Sequence, residues 1–287
     1  LEAHAFPMKS TVEALQIRHK LLQLFEKAHS IKNDLELQRM MNIVVVGGGP
    51  TGVEVSGALA EMKKYVLPKD FPELDFSKMN IYLLEGADKT LAAMSEKSSK
   101  QSGKYLNRLG VTVMTNTLVK DYDGQNIMLQ NGDEIPTSTV IWAAGIKGNV
   151  PAGIDSSLIG KGNRIKTDRR CLVQGFNNIY AIGDIAYLET PKFSTGLPQV
   201  APVAMQQADL VAGNLRMIER KSNLDRQYEF EYKDKGSMAT VGRNLAVVDI
   251  PKPKLHFGGF FAWLIWMGLH LMLILGVKNR FFVFFNW

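Results

Sequence analysis

Residues 47–52 read Gly-Gly-Gly-Pro-Thr-Gly and follow directly on four β-favouring residues, Ile43 to Val46. Glycines at the first, third and sixth positions of such a run have a defined chemical use. Gly47 permits a tight turn, Gly49 lets backbone approach a pyrophosphate, and Gly52 lets a helix pack against the strand. The helix that begins at Val53 offers free N–H groups and a positive dipole end to phosphate oxygens. Glycines alone are a weak signal, but strand, glycines and helix in this order predict a dinucleotide site. Gly48, Pro50 and Thr51 complete the turn, and Glu54 lies on the first helical turn.

A carboxylate bears on which dinucleotide. Asn80-Ile-Tyr-Leu-Leu-Glu85 reads as the next strand, with Glu85 at its end. An acid there accepts from ribose hydroxyls and repels a 2′-phosphate, which favours NAD over NADP. Such an acid falls roughly 20 residues past the glycines, whereas Glu85 lies 33 past Gly52. Lys63 to Lys78, with two prolines and no helical period, is read as an insertion that accounts for the excess. A third group lies in Asn178-Ile-Tyr-Ala-Ile-Gly183-Asp184. The expectation is a buried strand that delivers Gly183 where no side chain fits and Asp184 at its carboxyl end. There Asp184 would hydrogen-bond the ribityl or pyrophosphate side of a flavin.

The elements that must hold these groups follow from patterning. Ser10-Thr-Val-Glu13 resembles a capping box, and apolar residues at helical spacing continue to about Ala28. Asn33 to Arg39 reads as a polar connection. Ser98 to Leu109 reads as a helix and Gly110 to Met114 as a strand. Asp123-Gly124 and Asn131-Gly132 are hairpin signals, and Thr139 to Gly145 is a buried strand ending in small residues. A βαβ unit, a small β-meander and a return strand match the plan of a nicotinamide domain inserted in a two-nucleotide flavoprotein.

The 287 residues are 46% hydrophobic and 22% charged, which describes a globular chain with a real core. The net charge of +6 is carried by scattered basic residues without aromatic interleaving, which argues against nucleic acid as a partner. The single cysteine, Cys171, excludes an internal disulfide or a C-x-x-C pair, and reads as a small buried strand residue. His19 and His29 lack carboxylate or cysteine company, so no metal site is expected. The chain opens without methionine and is expected to start inside a longer protein.

From Phe257 to Val277 there are 21 residues without a formal charge, followed by Lys278, Arg280 and an aromatic end. That length suffices for a membrane span, but Gly258, Gly259 and Gly276 interrupt it. Trp263, Trp266 and Trp287 suit a membrane interface, and Pro251-Lys-Pro-Lys254 supplies charge for anionic headgroups. A span, a helix lying in the membrane surface and a buried core helix are the readings weighed, and the family resemblance given below implies the helix in the membrane surface.

Gly47-Gly-Gly-Pro-Thr-Gly-Val-Glu54, Trp142-Ala-Ala-Gly145, Ala181-Ile-Gly-Asp184 and Ala201-Pro-Val-Ala-Met-Gln206 occur together and in order. The set resembles type II NADH:quinone oxidoreductase, the single-subunit respiratory enzyme that does not pump protons. The first two motifs are shared with the wider pyridine nucleotide–disulfide reductase superfamily. The resemblance implies an α/β fold, a Rossmann-like NAD domain inserted in an FAD domain, with a membrane-associated helical tail. It implies NADH binding through Gly47, Gly49, Gly52, Glu54 and Glu85, with Gly48, Pro50, Thr51, Ala144 and Gly145 lining that site. FAD is implied at Gly183 and Asp184. The family's A-Q-x-A-x-Q motif beside the flavin and quinone is matched at Ala201, Ala204 and Gln206, with Val203 between and Pro202 in place of the first glutamine. Gln206 is then the candidate for a quinone carbonyl, and Glu54 for a catalytic acid. Lys235 lies where the family has residues near flavin and quinone, and a solvated turn is an equal alternative.

The implied division is 1–40 and 146–250 for the FAD domain and quinone region, 41–145 for the NAD domain and 251–287 for the membrane segment. The family opens with a strand–glycine–helix unit for the ADP part of FAD. Nothing before Ile43 supplies one, so the FAD domain is expected to be incomplete and the chain N-terminally truncated. The implied partners are ubiquinone or menaquinone and the cytoplasmic face of a bacterial inner membrane, with a homodimer as one oligomeric option. Two alternatives stand beside this: a soluble ferredoxin- or disulfide-type reductase, and a membrane-bound NAD-binding fragment without catalysis.

Overall fold

The computed structural model of the chain describes residues 4–220 and 228–286. Its elements begin with β1 (Phe6–Pro7), α1 (Thr11–Ala28), α2 (Asp34–Met41), β2 (Asn42–Val46), α3 (Pro50–Glu61), α4 (Leu67–Asp70) and β3 (Asn80–Leu84). They continue through α5 (Glu96–Arg108), β4 (Val111–Met114), β5 (Val119–Tyr122), β6 (Asn126–Leu129), β7 (Glu134–Pro136) and β8 (Thr139–Trp142). Next come β9 (Ile159–Gly160), β10 (Arg164–Lys166), β11 (Ala186–Tyr187) and α6 (Ala201–Glu219). The last are β12 (Ser237–Gly242), β13 (Leu245–Ile250), β14 (Leu255–Gly259), α7 (Phe260–Leu273) and α8 (Val277–Asn286). Two compact units result, one running to Ala144 and resuming at Gly236, the other Gly145–Lys235. The N-terminal helices and residues 236–250 therefore group with the nucleotide fold, whereas the sequence reading assigned them to the FAD domain.

The first unit is built on a parallel sheet of order β1-β8-β2-β3-β4. All five residues of β2 are buried, and a strand covered on both faces reads as a continuous apolar run. Because its two neighbours, β3 and β8, lie far apart in sequence, the carboxyl end of β2 is a topological switch point, where open α/β sheets bind ligands. The two glycine turns join β5, β6 and β7 into an antiparallel sheet, with Gly124 and Gly132 at φ +95° and +94°.

The capping box of α1 is present: Ser10 Oγ accepts the Glu13 N–H, and Glu13 Oε2 accepts the Ser10 N–H. Only Ile17, Leu21, Leu24, Phe25 and Ala28 are buried, while Val12 and Leu15 face solvent. Two expected irregular stretches are helical. Asn33 caps α2 by accepting the Glu36 N–H at 3.0 Å, and eight residues are too few to display a period. Within Lys63–Lys78, α3 continues through a π-helical turn, Met62–Val66, into α4, with Pro68 in the first turn where its missing N–H costs nothing.

In the second unit β11, β10 and β9 form a small sheet. The strand expected over Asn178–Asp184 is absent. Its backbone makes one isolated bridge, Leu172 with Tyr180, and Asn178, Ile179 and Ile182 are exposed. A strand needs a neighbour along its length, and among the described residues only Cys171–Val173 lies alongside, through the Val173 N–H to the Ile179 carbonyl and the Ala181 N–H to the Cys171 carbonyl. Cys171 is buried as expected but lies in a turn at φ +64°, not in a strand. Burial pushes its thiol up to about 12, so it is inert.

At the C-terminal end β12, β13 and β14 form an antiparallel sheet. Leu255–Gly259 is thus a strand, not the start of the membrane segment. No helix among the described residues is long and apolar enough to cross a membrane. The 14 residues of α7 extend about 21 Å, short of a hydrocarbon core of roughly 30 Å. Gly259 at φ +72° opens α7 and Gly276 at φ +85° separates it from α8. Trp287 lies outside the described residues.

One contact fixes α3 on this sheet. A Cβ on Gly57 would fall 1.7 Å from the Val241 carbonyl oxygen, so no side chain is compatible with the packing. Gly57→Ala is expected to cost about 3 kcal/mol, read as a lowered urea midpoint with an unchanged m-value.

Candidate functional site

The glycine turn is shaped by what surrounds it. Gly47 lies at φ +108°, and a Cβ there would meet the backbone of Ala143 and Ala144 at 2.8–2.9 Å. The chain just after β8 thus passes so close that residue 47 has no room for a side chain. A Cβ on Gly52 would sit 1.8 Å from the Gly47 carbonyl oxygen, so α3 can begin where it does only with glycine there. Gly49 is different: a Cβ on it would meet nothing within 4 Å. Its backbone faces open space at the cap of α3, where phosphate oxygens meet the helix N–H groups. Pro50 and Thr51 form the exposed first turn.

Glu85 stands beside this turn. Its Oε2 accepts the Gly48 N–H and its Oε1 accepts the Ala87 N–H at 2.7 Å. The carboxylate is thereby held between the turn and the loop after β3, in reach of a ribose whose phosphates lie on Gly49. Leu91, a residue without any sequence signal, adopts φ +50° and donates its N–H to the Gly48 carbonyl at 2.7 Å. These groups fit a dinucleotide.

Glu54 points elsewhere. Its Oε1 accepts the Thr240 N–H from β12 at 3.2 Å. It lines a cleft of about 300 Å³ together with Glu61, Arg243, Trp263 and Trp266. Burial raises its pKa above the ordinary carboxylate value, opposed by the Thr240 hydrogen bond and the charge of His270. Glu61 accepts the Arg243 N–H on the same edge.

In the second unit Gly183 lies at φ +72° and opens a single 3-10 turn, Gly183–Ile185, with Asp184 exposed. A Cβ on Gly183 would press on Ala204 at 3.3 Å. That bare turn with an outward carboxylate fits the ribityl or pyrophosphate side of a flavin. Among the described residues there is one strand–glycine–helix unit, at 42–61, so an ADP cradle of that kind for FAD is not found among them. Ala201 and Val203 lie in the first turn of α6, Val203 buried.

Gln206 is committed to backbone: Nε2 donates to the Lys233 carbonyl and Oε1 accepts the Lys233 N–H, both at 3.0 Å. This pair of bonds fixes the amide plane and leaves its second N–H as the one donor for a quinone carbonyl. Gln207, which carries no motif signal of its own, is buried, and it accepts the Gly183 N–H. Lys235 is exposed and lines a cleft with Gln206, Asp209, Glu229 and Lys233. Gly145, at φ +70°, is exposed at the start of the second unit.

Residues 4–208 match the family described as pyridine nucleotide-disulphide oxidoreductase, and residues 235–287 match an NDH2 C-terminal domain. Among curated proteins the chain is 33% identical to the type II NADH:quinone oxidoreductase Ndh of Mycobacterium tuberculosis, over 98% of this chain and 60% of that protein. It is 32% identical to the mitochondrial internal alternative NAD(P)H-ubiquinone oxidoreductase A1 of Arabidopsis thaliana, over 99% of this chain and 58% of that one. The chain thus spans about 60% of the length of such relatives. Its fold is that of NDH2 from Plasmodium falciparum, solved with NADH: TM-score 0.88 at 22% identity, covering 99% of this chain and 73% of the other.

The raised pKa of Glu54 gives a signed expectation. A carboxyl raised above its unfolded value of 4.5 contributes stability present below that value and lost as pH rises through the folded pKa. Glu54→Gln keeps the acceptor for Thr240 and removes the titration. Its melting temperature should exceed wild type at pH 7, with the gain gone by about pH 4. A gain that persists in acid would contradict this.

Proposed function

Because the chain belongs to the pyridine nucleotide-disulphide oxidoreductase family, we propose that it carries the NADH-binding and flavin-facing parts of an NADH:quinone oxidoreductase. The observation that carries the reading is the Gly47–Gly52 turn at the switch point, with Glu85 held against it and open space at Gly49. NADH lies with its pyrophosphate on the N-terminus of α3 and its adenosine ribose on Glu85. The missing 2′-phosphate suits that carboxylate, which would repel NADPH. Asp184 accepts from flavin hydroxyls while Gly183 keeps the approach clear. The chemistry that FAD supplies when bound is acceptance of hydride from NADH and two-electron reduction of a quinone to quinol. The names of the curated relatives support the quinone as acceptor.

Reduction of a quinone to quinol also consumes two protons. Glu54, with its raised pKa and a cleft walled by Trp263 and Trp266, is the candidate donor in this reading. Gln206 is the candidate quinone contact through the N–H that Lys233 does not take. The placement is peripheral, with α7 and α8 lying in a membrane surface, on the cytoplasmic face in a bacterium. Phe261, Phe282 and Phe285 are 70–80% exposed, an apolar face that favours this over a soluble reductase. A non-catalytic NAD-binding reading keeps one observation in its favour, the single strand–glycine–helix unit among the described residues.

The test is the anaerobic visible spectrum of the detergent-purified chain. A flavin band that bleaches with NADH and returns with a quinone supports the enzyme, and Glu54→Gln should slow the return about 10²-fold while bleaching normally. A colourless chain that still binds NADH favours the non-catalytic reading. Separately, Phe282→Glu with Phe285→Glu should abolish co-sedimentation with anionic vesicles. Undiminished sedimentation would remove α8 from the membrane surface.

A further inference from the structure

Gln207 has a placement that the glycine turn, the quinone motif and the tail leave unused. It is 1% exposed, and its Oε1 accepts the Gly183 N–H at 2.7 Å. Across the same turn Gln199 Nε2 donates to the Asp184 carbonyl at 2.8 Å. Backbone delivered by a sheet is normally fixed by ladder hydrogen bonds. Here backbone pairing stops at Ala181, whose N–H goes to the Cys171 carbonyl at 3.0 Å, and the turn beyond it is held by its own Ala186-to-Gly183 bond and by two amide side chains. Gln206 does not substitute, because its side chain is directed to the Lys233 backbone. Removing the Gln207 oxygen strands a part-buried N–H, a larger loss than a hydrogen bond exchanged with water.

We propose that Gln207 is the positioning residue of the Gly183–Asp184 turn. From the buried side it fixes Gly183 in its left-handed conformation and thereby the outward direction of Asp184. The ligand it serves is the ribityl or pyrophosphate portion of a flavin, a step that rests on the reading given under Proposed function. Gln207 itself touches no cofactor in this scheme; it acts through Gly183 and Asp184.

The experiment uses the full chain as wild type, Gln207→Leu and Gln207→Glu. The Leu variant is close in size without an acceptor, and Glu keeps an acceptor oxygen. Hydrogen exchange at the Gly183 amide should be about tenfold faster in Gln207→Leu and near wild type in Gln207→Glu. Equal exchange in wild type and Gln207→Leu overturns the proposal. FAD titrated by fluorescence should bind about tenfold more weakly to Gln207→Leu, recover in Gln207→Glu, and leave the NADH dissociation constant unchanged throughout. Unchanged FAD affinity in Gln207→Leu overturns the positioning role even where exchange has quickened. A wild-type chain that takes up no FAD overturns the flavin reading and the assignment of this turn to flavin, while exchange still decides whether Gln207 holds it. Should Gln207→Leu fail to fold, Gln207→Asn, one methylene short of Gly183, makes the same test.

Discussion

Helix α3 has no room for a side chain at two points, and the first unit depends on both. At Gly52 it touches the Gly47 carbonyl, and at Gly57 it touches the Val241 carbonyl. The first contact sets the helix N-terminus against the Gly47–Gly52 turn. The second presses the same helix onto the C-terminal sheet, from which α7 emerges. One rigid helix thereby joins the nucleotide turn to the base of the apolar tail. Glu54 lies between these two glycines and is buried by the same packing, which is why its carboxyl titrates high.

The tail illustrates how length and composition divide the work. Fourteen helical residues, His270 the one polar side chain among them, with a left-handed glycine three residues on, cannot reach across a bilayer. They can lie along one, and α8 then continues with Phe281, Phe282, Phe284 and Phe285 exposed beside Lys278 and Arg280. In water such a face is costly, and in a membrane interface the same residues bury their rings while the basic groups meet headgroups.

Much of the first unit was legible in the sequence because its signals are local. The glycine run, the alternating meander and the capping box of Ser10 each depend on a few adjacent residues. What escaped were features decided by distant partners. α2 is too short for a period, and the extension of α3 through a π turn passes through residues whose two prolines suggest a break. Glu54 follows the glycines in sequence, yet its partner, Thr240, is 186 residues away. In the second unit Ile179–Asp184 has the composition of a buried strand, but composition cannot provide the neighbour that a strand requires. Gln206 and Gln207 look alike in sequence, and only the fold gives one to Lys233 and the other to Gly183.

That division among amides carries a physical argument about the second unit. Its three named strands have two or three residues each, so little backbone is satisfied by sheet. Side chains take over. Asn214 exchanges two hydrogen bonds with the Tyr228 backbone, Gln206 does the same with Lys233, and Arg164 donates to the carbonyls of Lys161 and Leu197 while lying over the Tyr187 ring. The Arg164 guanidinium is buried against carbonyl dipoles, and burial lowers its pKa. A backbone held by amides has discrete attachment points, each lost with one side chain, whereas a ladder spreads the load over many. The Gly183–Ile185 turn is held in the same way, by Gln199 and Gln207. In this unit Gln206, Gln207 and Asn214 of α6 each hold a separate stretch of backbone, so turning any of these side chains away releases that stretch.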